Sequence, residues 1–345
     1  VQDAYRKLYG LQYFKNIKPD FERVESNKNL ANLVISVEEG ETGQFNFGAG
    51  YSTMESWFAY VNLKEKNLLG RGQNLSLDAR VGETNTYSLS FYEPWLFGTE
   101  NSFGISIYDK RSEGKKDNEE NEYDEHRQGG SISLGRPLTE MWDGNIKYKI
   151  EKSKTNWIDT GLTDESMTSS ITFKVDRDTS NHPFNPTGGA IDIFSLESAG
   201  GILGGDNEFQ KLSADLRRYY PGFKNEHAWA LRMKTGFGFG EIPLSEQYYL
   251  GGSNTLRGYE NNISGNDMLL LNAEYRFPVV DKITGVIFVD SGNAWDTRQE
   301  MTLEDLNSSA GLGARMNTPL GQLRLDYGWN ETGDGKFHFS IGNTF

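Results

Sequence analysis

The chain contains no cysteine, so neither a disulfide framework nor a thiolate metal site is open to it; taken alone, that fits a reducing compartment or an oxidising one where no disulfide is needed. It also has no apolar segment near the roughly 20 residues that a spanning helix requires. With a mean hydropathy of −0.64, this excludes a helical membrane protein. A membrane barrel is not excluded, because only alternate residues of its strands face lipid and the average stays polar. Basic residues are in deficit, 35 against 49 acidic ones, for a net charge of −14. Phosphate backbones need a concentrated basic surface, so no nucleic acid partner is expected. The four histidines, His126, His182, His227 and His338, stand in no nucleophile elbow and no spaced metal motif, and each reads as a surface or lumen residue. The acidic stretch Glu113–Glu125 lacks the Asp, Asn and Gly spacing of a calcium loop and reads as a solvated outer loop. No catalysis, cofactor or metal is expected. No charged segment followed by an apolar one opens the chain, and Val1 begins inside what reads as a helix, so a processed or trimmed start is expected.

Glycine and aromatic residues are plentiful instead, at 39 residues and 13%, an unusual pairing for a helical enzyme. From about Gly43 onward the hydrophobic period is two. In 74–81, Leu75, Leu77, Ala79 and Val81 alternate with Asn74, Ser76, Asp78 and Arg80. The same split places Leu212, Ala214 and Leu216 against Lys211, Ser213, Asp215 and Arg217. It recurs with Leu269, Leu271, Ala273, Tyr275 and Phe277 against Asn272, Glu274 and Arg276, and with Leu323, Leu325 and Tyr327 against Gln322, Arg324 and Asp326. A charged second face is costly in a dry core and harmless against a polar lumen. A soluble sandwich also alternates, but bulky Leu, Phe and Tyr on one face over nearly the whole chain favour a transmembrane barrel.

The fold class expected is all-β: an antiparallel transmembrane β-barrel of about 16 strands, each near the roughly 9 to 11 residues that tilted spanning strands need. The strands centre at about residues 47, 60, 77, 89, 105, 131, 147, 172, 193, 213, 232, 272, 287, 312, 324 and 341. An even count returns the C-terminus to the side of the N-terminal segment. Turns at 67–72, 93–99, 135–140, 220–225 and 317–321 are short, whereas connections at 110–127, 152–168, 241–266 and 292–307 are long and polar. Short inner turns with longer outer loops are the asymmetry of outer-membrane barrels. The turn 181–189 is an inner turn longer than its peers.

The connection 241–266 carries Tyr249-Leu250-Gly251-Gly252-Ser253-Asn254-Thr255-Leu256-Arg257-Gly258-Tyr259. About 26 residues without secondary structure are uncommon inside a domain and usually functional or disordered; the aromatics and paired glycines favour order. An arginine is never neutral, so Arg257 inside a barrel would need carboxylates in bidentate geometry, and Glu274 and Asp290 lie on the lumenal faces of the next two strands. An external loop with a solvated Arg257 is the alternative left open by the residues alone. In Gly251, Gly252, Leu256, Arg257, Gly258 and Tyr259 the sequence resembles the BamA-type outer-membrane protein assembly superfamily. The likeness extends to a first strand at Gly43–Tyr51, the turn from Asp176-Arg177-Asp178 to Gly189, the stretch Phe288-Val289-Asp290-Ser291-Gly292 and a terminal strand ending on Phe345. It implies a loop folded into the lumen with Arg257 on Glu274 and Asp290.

Residues 1–40 read as helix, strand, strand: Val1, Tyr5, Leu8 and Tyr9 at helical spacing, then extended stretches at 18–24 and 30–37. This resembles the C-terminal part of a POTRA-like α+β domain, with at least one complete module expected upstream and the barrel occupying 41–345. The first barrel strand presents Phe45, Phe47, Ala49 and Tyr51 on one face with Gly48 and Gly50 between them, and the last presents Phe337, Phe339, Ile341 and Phe345 with Gly342 on the other face. Glycine weakens strands, which predicts a poorly zipped seam between the two, although glycines are also common in barrel strands generally. The resemblance implies a lateral seam used for edge pairing with client strands. It further implies a central subunit that folds and inserts β-barrel proteins into the outer membrane of a diderm bacterium, with its POTRA side periplasmic. Its partners would be unfolded outer-membrane protein clients, accessory lipoproteins or periplasmic chaperones bound through POTRA domains, and outer-membrane lipid. A two-partner-secretion or TamA-like translocation pore shares these motifs and is the alternative; a passive porin would not need the POTRA-like element.

Overall fold

A computed structural model describes residues 13–23, 31–52, 56–117, 121–182, 185–259, 263–280, 282–318 and 321–341. Strands β1 (Phe14–Arg23) and β2 (Ala31–Glu39) form a two-stranded antiparallel sheet of their own. The helix expected before them lies outside the described residues. The barrel wall begins with β3 (Gly43–Ser52), β4 (Ser56–Leu68), β5 (Gln73–Val81), β6 (Thr84–Glu93), β7 (Ser102–Lys116), β8 (Glu122–Pro137), β9 (Asp143–Trp157) and β10 (Thr163–Asp178). It continues with β11 (Gly189–Ala199), β12 (Phe209–Pro221) and β13 (Ala228–Gly240). The short strands β14 (Tyr248–Leu250) and β15 (Ile263–Gly265) then form a separate hairpin. The wall ends with β16 (Asp267–Val280), β17 (Ile283–Trp295), β18 (Asn307–Thr318), β19 (Gly321–Asn330) and β20 (Gly335–Ile341). Sixteen strands make one antiparallel sheet ordered as in the chain, so the strand count and approximate centres read from period-two alternation stand.

Alternation is what makes this sheet a membrane wall. Phe45, Phe47, Leu77, Leu212 and Val289 are exposed on the outside, while Arg232, Glu274, Asp290, Arg324 and Asp326 are buried inside. That distribution inverts a water-soluble protein, in which a continuous exposed apolar belt is rare. The outward positions supply the hydrocarbon-facing band and the inward ones a polar, ion-paired lumen. The side carrying the β1–β2 hairpin is fixed by one contact: the Tyr13 hydroxyl donates to the Gly72 carbonyl in the β4–β5 turn at 3.2 Å. All turns following β4, β6, β8, β10 and β12 therefore lie on that inner side.

Two expectations are corrected. The long outer connections at 110–127 and 152–168 are largely strand: β7, β8, β9 and β10 run 15, 16, 15 and 16 residues, beyond the spanning length. Their polar ends continue to pair because a ladder satisfies backbone groups in water as it does in lipid. Lys115 on Glu125, at 2.9 Å, ties one such extension together. The connection 241–266 is also not structureless, since it holds a 3₁₀ turn at Leu244–Glu246 and the β14–β15 hairpin.

Strands β3 and β20 are the two ends of the hydrogen-bonded order and lie side by side, with Cα atoms within 8 Å, but no ladder joins them among the described residues. Gly342 and Phe345 of the expected seam lie outside the described residues, as do the side chains of Tyr51 and Ile341. Phe45, Phe47 and Phe337 point outward as expected. Gly48 has a packing reason of its own: a Cβ there would meet the Tyr60 ring at 2.8 Å, so the glycine makes room for an aromatic on the neighbouring strand. Without a shared ladder, backbone amides at the facing edges of β3 and β20 should exchange roughly tenfold or more faster than those within β8–β9. Hydrogen–deuterium exchange of the folded protein measures this; equal protection would mean that the barrel is zipped shut.

Candidate functional site

The segment between β13 and β16 does not leave the barrel; it turns into the lumen. Three glycines make the path possible. Gly251, Gly252 and Gly258 have φ of 113°, 83° and 90°, conformations that side chains disfavour. The Thr255 hydroxyl brackets the first turn, accepting from the Gly251 amide at 2.9 Å and donating to the Gly251 carbonyl at 2.6 Å. The Gly252 amide reaches the Tyr259 carbonyl at 3.0 Å and closes the tip. Leu256 is fully buried against Leu250, Met268, Leu270 and Ala294, giving the tip a small apolar core. At Gly258 the loop backbone lies against the barrel wall: a Cβ on Gly328 of β19 would stand 2.8 Å from the Gly258 nitrogen. Tyr259 donates its hydroxyl to the Ser308 carbonyl at 3.1 Å.

Arg257 occupies the centre with 1% of its side chain exposed, and its two carboxylate partners have none exposed. Its Nε and one terminal nitrogen donate to the two Asp290 oxygens, both at 2.7 Å, a planar bidentate pair. The other terminal nitrogen donates to Glu274 at 2.5 Å and lies 3.7 Å from Asp326. Phe288 stacks beneath the guanidinium, 3.5 Å from carbon to ring centroid. The contacts expected from the sequence, Arg257 with Glu274 and Asp290, are both present in the structure.

The surrounding ions escaped the sequence reading. Glu274 also binds Arg276 at 2.8 Å and Arg315 at 3.3 Å, and Arg315 binds Asp326 at 2.7 Å. Arg324 donates to the Ser253 carbonyl at 2.5 Å and the Asn254 side chain at 2.8 Å and lies 3.6 Å from Asp326, so it joins the loop to the ion cluster. His338 of β20 accepts from the Gly258 amide at 2.9 Å. All of these sit at inward positions of the alternation, which was the available signal; nothing in the spacing ranked them above the other lumenal charges. The loop tip thus touches each of the five C-terminal barrel strands.

A second anchor lies at the start of the same segment. Glu246, in the 3₁₀ turn, is 2.5 Å from Lys149, 3.6 Å from Arg127 and 3.7 Å from Lys211, on β9, β8 and β12. Glu151 and Glu197 complete the cluster through Arg127 at 2.8 Å and Lys149 at 3.6 Å, so three cations meet three carboxylates. Burial alone would raise the Glu246 carboxyl, but Lys149, Lys211 and Arg127 together hold it below its ordinary value. The segment is therefore strapped across the lumen, one end on β8, β9 and β12 and the other on β16 to β20.

Residues 67–345 match the Omp85 superfamily domain. Outer membrane protein assembly factor BamA of Nitratidesulfovibrio vulgaris is 28% identical over 380 residues, covering 100% of this chain and 47% of that protein. Chloroplastic outer envelope protein 80 of Arabidopsis thaliana is 24% identical, covering 90% of this chain and 47% of its own length. The chain spans about half the length of the curated relatives it matches. Among solved structures, BamA from Haemophilus ducreyi lacking POTRA domains 1–3 superposes with a TM-score of 0.79 at 18% identity, over 100% of this chain and 78% of that one. CdiB from Acinetobacter baumannii gives 0.72 at 16%, over 99% of this chain and 68% of that one. At these identities the structural likeness speaks for the fold alone.

Arg257→Ala would leave Asp290 buried without its bidentate cation and Glu274 without one of its three arginines, at a cost of about 3–5 kcal/mol to the docked loop. Limited proteolysis should then cut within 241–266, where the parent resists; a resistant variant would show that the pair does not hold the loop. Glu246→Gln should release only the first anchor. The depressed carboxyl gives the parent a matching pH signature: this anchor's contribution is complete above the ordinary carboxylate range and is lost as pH falls through the lower folded value, with cleavage near 246 rising in step.

Proposed function

We propose a function from one premise: this chain belongs to the Omp85 superfamily and is a BamA-type outer-membrane β-barrel protein. In our reading it carries the barrel, at 41–345, and the C-terminal part of a POTRA-like domain, at 1–40, of a central subunit that folds and inserts β-barrel proteins into the outer membrane. Its clients are unfolded outer-membrane proteins. Accessory lipoproteins or periplasmic chaperones bind through the POTRA side, and no cofactor takes part.

One observation carries the reading: the docked loop is bonded to the last strand, through Gly258 and His338, while that strand has no ladder to β3 among the described residues. A barrel built only for passage gains from a sealed wall, whereas an unladdered edge offers backbone donors and acceptors to an incoming strand. The loop keeps β16 to β20 in shape through its ion cluster while β3 and β20 part. The β3 edge or the β20 edge then templates the client by backbone hydrogen bonding, with specificity left to alternate side chains. The outward phenylalanines at the seam, Phe45, Phe47 and Phe337, sit where lipid and client meet. The second reading is a two-partner-secretion or TamA-like translocation pore, since a polar lumen with a docked loop would serve export equally well.

Depletion in the native host separates the two: our reading requires many outer-membrane proteins to fall together, and loss of a single secreted partner sinks it. The seam has its own test. The chain has no native cysteine, so pairs introduced along 45–49 and 337–339 report cleanly. A disulfide between β3 and β20 should abolish assembly and reduction should restore it; full activity of the locked barrel would remove the seam from the mechanism.

A further inference from the structure

The outward face of the barrel carries an ionic cluster at its inner rim that the loop and the seam do not use. Asp192 on β11 is buried between Arg177 of β10, hydrogen-bonded to one of its oxygens, and Arg218 of β12, 2.5 Å from the other. Their facing is set by register: Arg177, Asp192 and Arg218 share the side of Phe173, Leu196 and Leu212, which are exposed outward. Asp192 is 4% exposed, whereas the arginines are 29% and 37% exposed, so what the cluster presents to its surroundings is cationic. Two guanidiniums against one carboxylate leave one positive charge over, and Asp192 is the one carboxylate within ion-pair distance of either arginine among the described residues. Trp142 flanks Arg177, 5.2 Å from guanidinium carbon to ring centroid, and packs on Phe194. This aromatic edge marks the level of lipid headgroups.

Beside Arg218, on the same outward face, opens a groove of about 480 Å³ lined by Leu216, Leu231, Met233, Leu271, Ala273 and Val289. It exists because Ala273 sits between Leu231 and Val289 in the ladder, so a small side chain separates two large ones. The groove is apolar and points into the hydrocarbon, and its inner end is a cation.

We propose that this is a binding site for one anionic glycerophospholipid of the inner-side leaflet, its phosphate held by Arg177 and Arg218 and an acyl chain lying over Ala273. A phosphate supplies the missing negative charge and accepts from two guanidiniums in the fork geometry they favour. A free anion would leave the groove unfilled, and an uncharged lipid would leave the extra cation uncompensated at the membrane surface.

Native mass spectrometry of the full-length protein, extracted in mild detergent and titrated with palmitoyl-oleoyl-phosphatidylglycerol, tests the site. One lipid should be retained per protein. Arg177→Gln combined with Arg218→Gln should weaken retention about tenfold or more, and Ala273→Trp, which fills the groove and leaves the ions untouched, should do the same. Each variant is measured in the form that migrates as a folded barrel before heating, and if the double arginine variant fails to fold, Ala273→Trp carries the test. Unchanged affinity in either folded variant overturns the proposal. So does displacement of the lipid by inorganic phosphate, which would mark a free-anion site, or by a peptide ending in phenylalanine, which would mark a site for client termini.

Discussion

A guanidinium with 1% of its surface exposed has to be matched by charge and by hydrogen bonds, or the structure around it does not form. Arg257 meets that demand with a bidentate Asp290, a Glu274 and a Phe288 ring, and each of these is placed by the strand alternation that also makes the barrel wall. The constraint then propagates. Glu274 can accept Arg257 only because Arg276 and Arg315 share its other contacts, and Asp326 balances Arg315. Four arginines and three carboxylates interlock, and Arg324, 3.6 Å from Asp326, also reaches the loop acceptors at Ser253 and Asn254. A loop that enters here cannot shift by one residue without unpairing several buried charges at once.

The second cluster, around Glu246, gives the strap its other end. It is electrically balanced, whereas the Arg257 cluster is not, and the two differ in reach: one spans β8, β9, β11 and β12, the other the five terminal strands. Between them the loop crosses the lumen and stiffens the wall on both sides of it. The contact between Gly258 and His338 ties the loop to the last strand, beside the edge where no ladder to β3 is present among the described residues.

Much of this is legible in the residues alone. Alternation in segments such as 74–81 and 269–277 locates the strands because one face must be greasy and the other wet, and Arg257 points to its partners because an enclosed arginine has few chemical choices. Strand length was not legible at 110–127 and 152–168, since polar residues beyond the membrane pair as readily as they loop. Glu246 was hidden for a different reason. Its partners Arg127, Lys149 and Lys211 come from three strands scattered along the chain, and no local spacing brings them together. The packing role of Gly48 likewise depends on Tyr60 across the ladder, so a glycine that suggests weakness in one dimension fills a fitted position in three.

The decisive quantity is the coupling between Arg257 and Asp290. In a double-mutant cycle of Arg257→Ala and Asp290→Ala, with unfolding free energies measured for the full-length protein in lipid, a buried bidentate pair should give a coupling of about 3 kcal/mol or more, the second change costing little once the first is made. Additivity within about 0.5 kcal/mol would mean that the loop is held by something else and that the strap across the lumen is incidental to the barrel.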